Sequence, residues 1–351
     1  YPSTMPGIHT DVFRSQGVGQ GTVCKPTFSG QSNYQASKIE QHLEKTDDDY
    51  IPFMFPWYGT GVVPSALGCS IAFEKGLDPA VAGKVINEPQ DIKRLTMPDP
   101  YEDGLMPKVL ACIDYMVENT DMPVSFTDAQ GPLNIALGLC GVENFFAWMY
   151  EYPKHVHEIM DFCTEVLISW LRVQKKHAGQ KMTSGAFPHG IVLPEGFGGV
   201  WISDDDCTVI SPRLYEEFVV PYNSRVFRAF GGGSLHFCGN AEHQLENFSK
   251  IDGLTAINNF CMGNFNQIVK MQQMYNNKLP IMVCDFTPLH IEQYYSELVD
   301  AIKFKGIILA TYVAPDYALV GGKYDTVARD VDQITEESKE VIFKLVHRRS
   351  P

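Results

Sequence analysis

A histidine and a cysteine two residues apart stand in the run Leu235-His236-Phe237-Cys238-Gly239-Asn240. On a strand, residues i and i+2 share a face, so the imidazole and the thiol project together while Leu235 and Phe237 pack the other way. Imidazole nitrogen and thiolate sulfur are both zinc donors, and the pair reads as a two-ligand metal clip. Gly239 and Asn240 then end the strand and start a helix, Asn being a good cap, which puts the clip at the C-terminal edge of a strand, where βα proteins do their chemistry. A chain with 10 His and 9 Cys produces a His-x-Cys triplet easily by chance, and a buried structural pair is the plain alternative. Placement between a strand and a capped helix is what sets this triplet apart. Zinc needs a third donor. Cys284 ends a strand two βα units on, beside Asp285, and can reach the same rim; Cys261, three residues past the intervening strand, is the weaker choice.

The elements that would carry these residues lie in the last third of the chain, where short apolar runs alternate with helical stretches. Residues 233–238 (GSLHFC), 254–258 (LTAIN), 280–284 (PIMVC) and 306–312 (GIILATY) read as strands. Between and after them, 241–250, 264–275, 289–303 and 324–346 read as helices, a spacing that calls for parallel strands joined by crossovers. Upstream, residues 153–177 put Val156, Ile159, Met160, Cys163, Val166, Leu167, Trp170 and Leu171 on one face at a 3.6 period, with Pro153 in the first turn. Ser211-Pro212 opens another helix with a kink at Pro221. Residues 51–55 and 124–127 add two strands, and 191–193 or 199–202 could supply more. Eight parallel strands is the expected count, with a doubly wound open sheet as the structural rival. One domain over 51–351, preceded by a helical N-terminal extension over 1–50, is the simplest organisation.

A formal net charge of -14 argues against a phosphate-binding surface, which needs clustered Lys and Arg, so no nucleic-acid partner is expected. No apolar stretch reaches membrane-span length, and Tyr1 begins no basic n-region followed by an apolar h-region. The reading is cytoplasmic, with no membrane partner. An odd, scattered set of 9 cysteines fits reduced thiols better than a disulfide framework.

Beyond the clip, a series of motifs in fixed order resembles the uroporphyrinogen decarboxylase superfamily. Thr127-Asp128-Ala129-Gln130-Gly131-Pro132-Leu133 is similar to that family's Gly-Pro helix start, Gly141-Val142-Glu143-Asn144-Phe145 to its Gly-x-Glu segment, and Tyr152-Pro153-Lys154-His155-Val156 to its Pro-led helix. Ile202-Ser203-Asp204, Ile210-Ser211-Pro212 and Pro221-Tyr222 resemble the loop and helix before the family's His-x-Cys-Gly-Asn run. The likeness spans roughly residues 51–346 and implies a (β/α)8 TIM barrel. Decarboxylases of the family carry an Arg-rich N-terminal signature, a Tyr in the helix after Gly-Pro and a His near the last strand. Here residues 51–55 read IPFMF, the position after Gly-Pro falls around Gly138, and the last strand ends Ala310-Thr311-Tyr312.

The chain is more similar to the zinc-dependent, corrinoid-linked methyltransferase branch, which uses His-x-Cys and a distant Cys as ligands. His236 and Cys238 match the first two, while the family's third Cys falls where this chain has Thr311-Tyr312-Val313. Cys284 is the expected substitute, with Asp285, Asp316 or Glu195 as oxygen alternatives. The resemblance implies zinc, a cobalamin or corrinoid brought by a separate corrinoid protein, and a small-molecule methyl donor or acceptor, with a homodimer also open. No Asp-x-His-x-x-Gly run marks a corrinoid site of the chain's own. Asp204 and Glu195 are the expected catalytic acids, and Asp128, Gln130, Trp201 and Tyr312 the expected substrate-binding residues. The run Asp204-Asp205-Asp206 otherwise reads as a solvated helix lead-in, and His189 and His243 as structural. The rival functions are a decarboxylase or lyase acting on a small carboxylate on the same barrel, and a barrel without catalysis that binds a corrinoid protein.

Overall fold

Along the strand-length runs in the last third of the chain, successive residues alternate between two faces, both lined mainly by apolar side chains, a pattern that builds a sheet buried on both sides. In the computed structural model these runs form a five-stranded parallel sheet in sequential order: β1 (Val200–Ser203), β2 (Gly233–Cys238), β3 (Leu254–Phe260), β4 (Ile281–Phe286) and β5 (Ile307–Tyr312). The structure describes residues 28–45, 50–73, 79–182, 186–187, 191–192, 199–275, 278–302, 306–313 and 317–347. Register places Ser203 beside His236, His236 beside Asn258, and Asn258 beside Met282, while one rung higher Cys238, Phe260, Cys284 and Ala310 follow one another around the sheet.

Upstream of the sheet, barrel positions are held by single parallel bridges. Met54 pairs with Val124, Val124 with Met182, and Gln130 with Ser203. Val124 is the pivot: its N–H donates to Lys181 O at 2.8 Å, while Met54 N reaches Pro123 O at 2.7 Å and Ser125 N reaches Met54 O at 2.9 Å. Three bridged positions and five strands give the eight of a (β/α)8 barrel, the architecture expected from the sequence. Phe53, Phe55 and Trp57 from the first position share one interior cluster with Trp201, Phe260, Met282, Cys284 and Phe286, so both parts enclose the same core.

Helices cover the outside. Pro132–Cys140 (α1), Pro153–Ala178 (α2), Pro212–Phe218 (α3) and Val220–Ala229 (α4) each carry Pro in the first turn, where its missing N–H costs no hydrogen bond. Ser211 caps α3, its Oγ accepting from Leu214 N at 3.4 Å. Val156, Ile159, Met160, Val166, Leu167 and Leu171 on α2 are fully buried against the barrel, each worth roughly 1.5–3 kcal/mol over exposure. Phe265–Tyr275 (α5) and Ile291–Ala301 (α6) follow β3 and β4. The helix Phe28–Lys45 is stitched to the first barrel position by one side chain: Gln35 donates to Phe55 O at 2.6 Å and accepts from Phe55 N at 2.9 Å, as a neighbouring strand would.

Several expected elements come out differently. Residues 324–346 do not form one helix: Tyr317–Val320 and Lys323–Thr326 pair as an antiparallel hairpin, and the helix begins at Val331. Gly321 and Gly322, at φ of 55° and 77°, supply the two left-handed residues that a two-residue hairpin turn requires. Ile191–Val192 pairs antiparallel with Ala186–Phe187 and is no barrel strand. Residues 241–250 shorten to a 3-10 turn, Glu242–Gln244, and a single helical turn, Leu245–Phe248. No helix among the described residues is long and apolar enough to cross a membrane.

Candidate metal centre

Strand alternation sorts the side chains at the barrel's C-terminal edge. On β2, Leu235 and Phe237 join the outer core, while His236 and Cys238 turn inward. On β3 the inward positions are Ala256, Asn258 and Phe260, on β4 Met282, Cys284 and Phe286, and on β5 Ile308, Ala310 and Tyr312. The sequence-predicted pair therefore shares a face as expected. His236 is 1% exposed and Cys238 half-buried, with Cys238 Sγ 3.4 Å from His236 Nε2.

A third donor arrives from the turn after β1. Asp205 opens the 3-10 turn Asp205–Thr208, and its Oδ1 lies 3.5 Å from His236 Nε2 and accepts from Cys238 N at 2.7 Å. One donor atom from each of Asp205, His236 and Cys238 lies within 4.8 Å of the others. Zinc bonds of about 2.0–2.3 Å at tetrahedral angles hold neighbouring donors ~3.3–3.7 Å apart, the range in which the 3.4 and 3.5 Å separations fall. Charge points the same way. Burial first, then the Asp205 carboxylate, pushes the Cys238 thiol well above the ordinary thiol range, with Cys284 and Asp128 adding to the effect. A divalent cation among these donors reverses that balance and favours the thiolate. A nitrogen, a sulfur and an oxygen donor converging from the end of β2 and the turn after β1 fit the three-protein-ligand set of a zinc ion.

Behind the imidazole, His236 Nδ1 makes a short hydrogen bond to Asn258 Oδ1, and Asn258 Nδ2 donates to Met282 O at 3.2 Å and to Cys284 Sγ at 3.1 Å. Cys284, the expected third ligand, is fully buried one strand beyond Asn258, and its thiol is pushed up to about 12, chiefly by burial. The converging group contains Asp205 in its place.

Other expected site residues divide between the two faces of the barrel wall. Asp128 is buried near enough to raise the Cys238 thiol, and it accepts from Gln130 Nε2 at 2.8 Å, whose Oε1 accepts from Asn134 Nδ2 at 2.8 Å. Trp201 and Tyr312 face the interior, Trp201 against Phe55 and Tyr312 stacked on Phe260 at 5.8 Å. Asp204 points outward, where Tyr215 OH and Asn223 Nδ2 on α3 and α4 donate to its Oδ2 at 2.5 and 2.9 Å; its other oxygen, Oδ1, is buried with no partner. Burial raises its carboxyl to about 7, with the charges of Asp206 and Asp205 adding and the two hydrogen bonds opposing. Asp285 also faces outward. Its carboxylate accepts from Met262 N, Gly263 N and Cys261 Sγ, each at 2.9 Å, and from Tyr294 OH, and so holds the loop in which Met262 takes a left-handed φ of 49°. His243 Nε2 sits 3.2 Å from Ile210 O. Glu195, His189 and Asp316 lie outside the described residues. Sequence reasoning passed over Asp205 and Asn258; the available signals were an acid two residues past the end of β1 and a polar residue on the inward face of β3.

The uroporphyrinogen decarboxylase (URO-D) family model matches residues 56–185. The uroporphyrinogen decarboxylase of Hydrogenovibrio crunogenus is 23% identical over 169 residues, 47% of this chain and 42% of that protein. That of Danio rerio is 25% identical over 167 residues, 46% of this chain and 40% of that protein, and that of Nocardia farcinica 27% over 184 residues, 50% and 46%. The matches thus span less than half the length of these curated relatives. Among solved structures, a methyltransferase from Methanosarcina mazei superposes with a TM-score of 0.65 at 14% identity, over 97% of this chain and 91% of that one. The resemblance to the uroporphyrinogen decarboxylase superfamily and its barrel is borne out.

Proposed function

We propose that this barrel, similar in sequence to decarboxylases and in fold to a methyltransferase, is a zinc-dependent methyltransferase moving a methyl group between a corrinoid and a small thiol or methoxylated substrate. The convergence of Asp205, His236 and Cys238 donor atoms at the C-terminal edge carries the reading. Those three residues would hold the ion. Bound there, zinc supplies Lewis acidity, favouring the thiolate of a substrate thiol or polarising an ether oxygen.

The chain's own residues bind, orient and exclude water. Trp201, Phe260, Phe286 and Tyr312 wall the interior beside the donors with ring surface and keep it dry, which strengthens the electrostatics of the site. Asp128 and Gln130, linked at 2.8 Å, offer a hydrogen-bonding edge to the polar end of a small substrate. Asp205, through Cys238 N at 2.7 Å, fixes the end of β2 and with it the thiol. No residue here is assigned to hold a corrinoid, which a separate partner protein would bring.

A decarboxylase acting on a small carboxylate is the second reading, favoured by the sequence matches. Against it, strands β1–β5 contain no Lys or Arg to pair with a substrate carboxylate. Metal analysis of the wild type and His236→Ala, with methylcobalamin demethylation assayed against thiols and methoxylated compounds, separates the two. Zinc and methyl transfer lost together in the variant support the proposal; a metal-free wild type that releases carbon dioxide from a carboxylate substrate overturns it.

A further inference from the structure

We infer that Asn258 is a positioning residue that makes His236 Nε2, and not Nδ1, the metal-facing atom, and that the buried Cys284 thiol serves Asn258 instead of the metal. The inference rests on the metal reading above and goes beyond it by assigning the groups behind the ligands.

Met282 O can only accept, and Asn258 Nδ2 lies 3.2 Å from it, so the nitrogen end of the amide must face β4. Strand register makes that orientation rigid, because Asn258 sits directly between His236 on β2 and Met282 on β4. Its oxygen end must then face His236, and an oxygen acceptor against Nδ1 requires the imidazole proton to be on Nδ1. A neutral imidazole has one such proton. Nε2 is left with a lone pair, directed at the space it shares with Cys238 Sγ at 3.4 Å and Asp205 Oδ1 at 3.5 Å. In the metal-free protein the Cys238 S–H can donate into that lone pair; a metal ion held by Cys238 and Asp205 would take it up instead, so the amide presents His236 as a ligand through Nε2.

The second amide N–H of Asn258 finds Cys284 Sγ at 3.1 Å. With Asn258 fully buried, that hydrogen would otherwise lack an acceptor, at a cost comparable to a lost hydrogen bond. Cys284 thus has a role that accounts for its inward position without metal ligation. It completes a line running Cys284, Asn258, His236 across three adjacent strands.

Zinc affinity by competition with a chelating dye, together with the visible spectrum of the cobalt-substituted protein, tests this on the full chain. Asn258→Leu removes both ends of the amide and is expected to weaken zinc binding about 10- to 100-fold and to alter the cobalt d–d bands. Asn258→Asp keeps an oxygen acceptor for Nδ1–H and should hold affinity within about tenfold of wild type, a rescue that loss of packing alone does not predict. Cys284→Ala should retain stoichiometric metal and the sulfur-to-cobalt charge-transfer band, both of which Cys238→Ala loses. Far-UV circular dichroism identifies any variant that fails to fold, and the comparison of Asn258→Asp with Cys284→Ala remains decisive if Asn258→Leu does. Wild-type affinity in Asn258→Leu, or metal lost from Cys284→Ala as from Cys238→Ala, overturns the inference while leaving the metal site standing. A wild type that takes up neither zinc nor cobalt overturns the metal reading and this inference together.

Discussion

The inward and outward faces of the barrel wall both bury ionisable and amide side chains, yet they use them in opposite ways. Outward, Asp285 gathers four donors, Asn259 gives its amide hydrogens to Phe237 O and Gly239 O while accepting from Gln267, and Asp204 is gripped by Tyr215 and Asn223. These hydrogen bonds tie loops and helices to the sheet. Inward, His236 Nε2, Cys238 Sγ and Asp205 Oδ1 converge within 4.8 Å of one another. Burial alone therefore does not mark a functional residue; what distinguishes the site is nitrogen, sulfur and oxygen donors of metal-ligand type converging on one point.

The sharpest test of this contrast removes an outward group. Asp285→Ala leaves two backbone N–H groups, a thiol and a phenol without their shared acceptor and is expected to cost about 3–5 kcal/mol in denaturant unfolding, with zinc per folded molecule unchanged. Metal loss from the folded variant would break the division between faces.

Asp204 comes next and reads out in pH. Its carboxyl is raised to about 7 in the fold, chiefly by burial, against about 3.9 in an unfolded chain, so the native state keeps a proton that the unfolded state has released. That contribution is complete below pH ~4 and is lost as pH rises through about 7; in metal-stripped protein, stability should fall by a few kcal/mol between pH 5 and 8. Asp206, raised to about 6 chiefly by burial, adds to the same limb, and Asp204→Asn should flatten most of it. A wild type that gains stability over this interval contradicts the assignment.

Inward substitutions should show smaller effects on folding and specific effects on metal. His236→Ala is expected to lower zinc affinity by about 100-fold or more, near 2.7 kcal/mol, with little change in unfolding of the metal-free protein. Asp205→Asn keeps an oxygen in place but removes its charge, and about tenfold weaker zinc binding by competition titration is the expected result. Equal affinity in Asp205→Asn would return the third position to another donor.

Period-2 alternation makes the clip legible, because 233–238 can be assigned to a strand and its two faces separated from the sequence alone. Superfamily motifs chose the barrel over an open sheet. Asp205 was not legible: within Asp204-Asp205-Asp206 the sequence offers three equivalent acids, and only the folded turn sends the first behind the sheet and the second over the strand end. Asn258 needed the cross-strand register that places it beside His236, information that exists only once strands pair. Of the hairpin 317–326, the second strand from residue 324 reads as the start of a helix, although Gly321-Gly322 carries a turn signal, because the helical pattern further on extends back over it. Residues 51–55 and 124–127 read as full strands, yet each is paired at a single residue, Met54 and Val124.

Val124, paired to Met54 on one side and Met182 on the other, works as a rivet where the rest of the barrel has a seam. Hydrogen–deuterium exchange should then find isolated slow amides at residues 54, 124 and 125 flanked by fast ones, in contrast to unbroken protection through β2–β4. Heat would part the wall first at that fastening, before the five-stranded sheet that carries His236 and Cys238.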